Sequence, residues 1–106
     1  MDDTQVRQKQ ARLHRLQEQY AALEETASKL ARECARVRAI KQTLSGQMNT
    51  ALYVDPYRRD EWLASVQNKL NSATQEEIGF EHLVRENARL RYELGADIMA
   101  LERELG

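Results

Sequence analysis

The sequence has few of the residues that build turns, cross-links and membrane spans. It contains four glycines, one proline and one cysteine, Cys34, among 106 residues. A single cysteine cannot form a disulfide within the chain, which fits a reducing compartment. No apolar run reaches the roughly 20 residues that span a bilayer, and no signal-type apolar segment follows Met1. These absences predict a cytoplasmic protein, with a nuclear or cytoskeleton-associated location as alternatives.

A strong overall charge is also missing. The net charge is −1, so nothing global points to nucleic acid or an anionic membrane. The two halves differ, however: residues 1–50 carry nine basic and six acidic side chains, and residues 51–106 carry seven and eleven. Halves of opposite charge suit pairing with each other or with an oppositely charged partner.

Combinations of side chains that catalyse reactions or hold cofactors are lacking. His14 and His82 do not combine with further ligands into a metal site. Cys34 lies among apolar positions with no histidine to activate it, so a small buried residue is the expected role. Adjacent carboxylates such as Glu24 and Glu25 point apart on a helix and cannot act as an acid–base couple. The chain is therefore predicted to be no enzyme, with no cofactor, metal or small-molecule substrate.

Residues that favour long helices dominate what is present, and their apolar members recur every three and four positions. In the first half this heptad pattern persists for about six repeats, which is typical of a coiled-coil seam. The seam of the first half comprises Val6, Lys9, Leu13, Leu16, Tyr20, Leu23, Ala27, Leu30, Cys34, Val37, Lys41, Leu44 and Met48.

The second half repeats the pattern over a wider apolar stripe. Trp62, Leu83 and Leu90 lie just beside the seam, on one flank. The seam itself comprises Leu63, Val66, Leu70, Ala73, Glu77, Phe80, Val84, Asn87, Arg91, Leu94, Ile98, Leu101 and Leu105.

The two patterned halves are separated by a short segment that collects rare residues, among them Pro56 and Trp62. Asp55 and Pro56 suit the N-cap and the first position of a helix, respectively. We therefore predict one domain, 1–106, with helix 1 at about 4–50, a turn at about 51–55 and helix 2 at about 56–105.

Two helices of nearly equal length joined by a short turn favour an all-α, antiparallel two-helix coiled-coil hairpin. Aligning the two seams places Tyr20 opposite Asn87, where their side chains would form one polar layer that fixes register. The alternative is an extended parallel coiled-coil dimer, which Pro56 disfavours because proline breaks a continuous helix.

One seam is a thin core for a chain of this length, so the hairpin is expected to pair into a four-helix bundle. The predicted partner is a second copy or another coiled-coil chain, most simply in a homodimer. The predicted interface on helix 2 comprises Trp62, Phe80, Leu83, Asn87, Leu90 and Leu94.

The turn region offers a second candidate interface, made by Tyr53, Tyr57, Arg58 and Arg59. The competing interpretation is that its apolar side chains only cover the end of the seam, with Trp62 folded back onto helix 1. Both interpretations stay open at the level of sequence.

These patterns favour a protein–protein assembly module, such as a coiled-coil adaptor or scaffold subunit associated with the cytoskeleton. An alternative is a nucleic-acid or membrane tether that uses the basic run of helix 1: Lys29, Arg32, Arg36, Arg38 and Lys41.

A third interpretation comes from a resemblance. Chain length and a tryptophan close to the turn resemble the small secreted helical hairpins of the WXG type, although Trp62-Leu63-Ala64 lacks the glycine of their motif. The resemblance implies a secretion substrate or chaperone.

Overall fold

The computed structural model describes residues 2–106, and within them the chain forms two α-helices and no strand. Helix α1 spans Asp3–Asn49, a single 3-10 turn follows at Ala51–Tyr53, and helix α2 spans Arg59–Leu105. The chain folds back on itself, so the predicted helical hairpin is confirmed and one continuous rod-like helix is excluded. No helix of this described part is long and apolar enough to cross a bilayer.

Helix α1 begins with a side-chain cap. The Asp2 carboxylate accepts a hydrogen bond from the Gln5 backbone N–H at 2.7 Å. This bond satisfies one of the backbone donors that have no partner in the first helical turn. A carboxylate at this end also complements the helix dipole.

Helix α2 begins at Arg59, three residues later than the sequence predicts. Asp55 was expected to cap the helix directly, but it builds a separate turn. Its carboxylate accepts the Tyr57 backbone N–H at 3.0 Å, and its carbonyl accepts the Arg58 backbone N–H at 2.9 Å. Such local bonds of aspartate compete with helix formation, so Pro56 lies within the turn.

Interhelical contacts group the chain into two compact units. The turn unit is Leu30–Leu83, and the terminal unit combines Met1–Lys29 with Val84–Gly106. The prediction of one domain over 1–106 stays a prediction.

The turn unit contains the best-buried core of the hairpin. Its buried side chains come from both helices, and Val37 is fully enclosed. Cys34 is buried as well, in the role of a small apolar residue. The core cluster is Val37, Leu44, Val66 and Ala73, with Met48, Trp62, Leu70 and Phe80 packed against it.

The terminal unit has a thinner interior with one buried polar residue. Leu101 and Asn87 are its buried side chains, and most of its other seam positions are only half-buried. An ion pair between Lys9 and Glu104, 3.2 Å apart, links the two helices near the open end of this unit.

Candidate protein-interaction surfaces

The six residues predicted to form an interface on α2 fall into two groups. Trp62 and Phe80 pack against the core of the turn unit. Asn87 is 5% exposed and lies inside the terminal unit, and Leu94 is half-buried. The hairpin itself therefore uses a large part of the predicted interface, and Asn87 lies in its interior rather than on an outer face.

Leu83 and Leu90 are the members of the predicted set that remain open. They are 49% and 39% exposed, respectively. Their spacing of seven residues places them on the same side of a helix. Large apolar side chains at this exposure form a candidate contact surface, which we call the Leu83/Leu90 face.

A further group of exposed apolar side chains on α2 was missed at the level of sequence. This group comprises Ile78, Tyr92 and Met99, which are separated by 14 and 7 residues along the helix. Tyr92 is 81% exposed. The signal was present in their spacing. It was obscured because Arg85 occupies the same series and because the series lies away from the seam.

Asn87 makes a polar layer, but with a different partner from the one expected. Its side-chain N–H donates to the Leu23 carbonyl at 3.0 Å, three residues beyond the predicted partner Tyr20. Its oxygen accepts a hydrogen bond from the Arg91 guanidinium at 2.8 Å.

The two charged seam positions of the turn unit pair with each other. The Lys41 ammonium lies 2.9 Å from the Glu77 carboxylate, and Arg38 lies 3.4 Å from the same group. The hydrogen bond from Lys41 holds the pKa of the Glu77 carboxyl below its ordinary value, although partial burial opposes this shift.

The pair makes the stability of the hairpin depend on pH. A carboxyl whose pKa is lower in the folded chain stabilises the fold above its unfolded pKa, and this contribution disappears as the pH falls through the folded pKa. We expect Glu77→Gln to lower the urea midpoint at pH 7 and the two curves to converge as the pH falls below the ordinary carboxyl value of about 4. Circular dichroism during urea titrations from pH 7 to pH 2 measures this.

Glu24→Gln is the matched control, because Glu24 is an exposed glutamate on the outside of α1. Its midpoint should stay close to that of the wild type throughout. A deficit of Glu77→Gln that remains constant from pH 7 to pH 2 would contradict the role given to the Lys41–Glu77 pair.

The basic run of α1 is largely matched by acidic side chains. The Arg36 guanidinium lies 2.8 Å from the Glu76 carboxylate and 2.9 Å from the Glu33 carboxylate. The hydrogen bond to Glu76 is the larger cause, and that to Glu33 the next, of a raised pKa of Arg36. Lys29 pairs with Glu25 at 3.6 Å. Exposed pairs of this kind add little stability, but they offset part of the positive charge of the run. The tether interpretation stays a prediction, in which phosphates would have to compete with these carboxylates.

The turn carries three strongly exposed large apolar side chains. Leu52, Tyr53 and Tyr57 are 80%, 90% and 97% exposed. They do not cover the end of the seam, as one interpretation of the sequence held. Trp62 does so, because it packs against the core of the turn unit.

Arg59 fixes the backbone of this turn. Its guanidinium donates to the carbonyls of Ala51, Leu52 and Val54 at 3.0, 3.4 and 3.3 Å. Arg59 had been proposed as a contact residue, and the structure instead places its guanidinium against the carbonyls of its own turn. Arg58 is exposed.

Among residues 2–106, no three histidine, cysteine or acidic side chains lie close enough together to hold a metal ion. One groove, beside Gly95, is lined by Tyr20, Ile98 and Met99 and is open to solvent. The arrangement offers apolar faces and paired charges, which are the elements of protein contacts.

Comparison with known proteins gives no relative. No family model matches the chain, and neither a curated protein nor a solved structure is significantly similar to it.

Proposed function

We propose that the chain is a non-enzymatic assembly module, a coiled-coil adaptor or scaffold subunit that joins a second copy of itself. In this proposal the Leu83/Leu90 face of α2 packs on the same face of the partner. The two hairpins then form a four-helix bundle with short connections. The unpaired thiol of Cys34 suits a scaffold in the cytoplasm.

The observation that carries the proposal is the exposure of apolar side chains on α2. Leu83 and Leu90 are 49% and 39% exposed on a helix that already packs its seam side against α1. Burying these leucines against a second copy would remove apolar surface from water, which is the main favourable term in association.

Self-association is directly measurable. We expect sedimentation equilibrium over a dilution series from micromolar to hundreds of micromolar to give twice the chain mass at the upper end. The mass should fall towards that of one chain on dilution. A monomer mass at every concentration would reject the self-association that the proposal requires.

The shape of the concentration dependence adds a second criterion. A symmetric face closes on itself and stops at two copies. A mass that keeps growing with concentration would indicate open-ended stacking instead, and would contradict the paired hairpins.

A further inference from the structure

The turn presents an apolar tip that the hairpin does not use. Leu52, Tyr53 and Tyr57 together expose about 500 Å², taking roughly 200 Å² for a tyrosine. Tyrosine is enriched among the residues that dominate binding energy at interfaces. Their exposure of 80–97% leaves most of each side chain available for contact.

The tip is also held in one shape before any partner arrives. Three carbonyls of the turn accept hydrogen bonds from Arg59. The Tyr53 backbone N–H also donates to the Thr50 carbonyl at 3.0 Å. The Val54 backbone N–H donates to the Ala51 carbonyl at 3.2 Å. A preorganised segment loses less conformational entropy on binding than a flexible one.

The area of the tip decides against a second copy as its occupant. Two tips in flat contact would bury at most about 1,000 Å² in total, whereas stable specific interfaces bury about 1,200–2,000 Å². A concave partner surrounds the tip and adds contacts along its sides. The size therefore fits a protrusion that enters a pocket.

The charge around the tip decides between kinds of partner. Three exposed acidic residues, Asp55, Asp60 and Glu61, outnumber Arg58 and Arg59. The resulting charge of −1 over 55–61 disfavours lipid headgroups and nucleic acid, which carry negative phosphates. Basic side chains on a protein complement it.

From these observations we infer that the tip docks into an apolar pocket on a different protein, with lysine or arginine side chains at the rim of that pocket. Leu52, Tyr53 and Tyr57 enter the pocket, and the acidic residues face its rim. This contact is separate from the self-association proposed above, so that the chain can bring two copies of one partner together.

Site-specific photo-crosslinking in the full chain tests the inference. Benzoylphenylalanine replaces Tyr57 in one sample and Tyr92, a tyrosine of similar exposure in the terminal unit, in the control. We expect irradiation in the cells that make the protein to give an adduct with one other protein from position 57 and no such adduct from position 92. No adduct specific to position 57, or one with a second copy of this chain, overturns the inference.

The crosslinked protein is then purified and titrated with the chain. We expect Tyr53→Ser with Tyr57→Ser to weaken binding at least tenfold, Tyr92→Ser to change it less than twofold, and added salt to weaken it. Unchanged binding by the tip variant overturns the inference. Binding to membranes would also overturn the inference. That outcome is wild-type protein that sediments with phosphatidylcholine or phosphatidylserine vesicles while the tip variant does not. The double variant Leu83→Glu with Leu90→Glu should still bind the partner through the tip. Failure of the tip contact can therefore be distinguished from failure of self-association.

Discussion

The double substitution Leu83→Glu and Leu90→Glu is expected to leave the helix content unchanged and to weaken self-association at least 100-fold. Both side chains are already half-exposed in the hairpin, so a carboxylate at either position can reach water in the monomer. In the proposed dimer four such leucines become buried. Losing their burial is expected to remove about 3 kcal/mol or more, since a fully buried leucine contributes about 1.5–3 kcal/mol.

The measurement is sedimentation equilibrium of wild type and variant at equal concentrations, with circular dichroism as a check on folding. The matched control is Gln75→Glu with His82→Glu, which adds two carboxylates at the same seven-residue spacing on exposed positions of α2. This control should retain the wild-type mass. A Leu83/Leu90 variant with undiminished mass would show that another surface holds the copies together.

Val66→Asp is the substitution expected to cost the most stability. Val66 is buried in the core cluster of the turn unit with Val37, Leu44 and Ala73. A carboxylate there has no room to reach water and no partner in the cluster. Uncompensated buried charges cost about 3–5 kcal/mol, which is a large share of the stability of a small domain.

Urea unfolding followed at 222 nm measures this loss. Ser65→Asp is the control, because it places the same carboxylate on the adjacent exposed position of α2 and should cost well under about 1 kcal/mol. Hydrogen exchange of residues 30–83 should accelerate in Val66→Asp. A midpoint within error of the Ser65→Asp control would mean that Val66 is not part of a closed core.

The helical hairpin was predictable because the heptad spacing of apolar residues indicates which side of each helix is apolar. The register was not, because spacing specifies the facing side but not the length of the turn. That length depends on Asp55, whose side chain builds a turn of its own instead of capping α2. The alignment of the seams placed Asn87 opposite Tyr20, whereas its side chain bonds to the Leu23 carbonyl.

The candidate interfaces were predictable only in part, for a related reason. A pattern shows that Asn87 and Leu83 lie close to the seam, but burial decides which of them the hairpin encloses. Arg59 illustrates the same limit, since an arginine beside aromatic residues has the composition of a binding site. Its bonds to three carbonyls of the turn follow from backbone geometry that no residue pattern reveals.

The distance between partners along the chain also sets an order of folding. The contact between Lys41 and Glu77 closes a loop of 36 residues, whereas the contact between Asn87 and Leu23 closes one of 64 residues. The entropy lost in closing a loop grows with its length, so the shorter loop closes at about 0.5 kcal/mol lower cost. We therefore expect contacts nearest the turn to form first, each one shortening the loop that the next must close. On this expectation the two helices pair progressively from the turn outward.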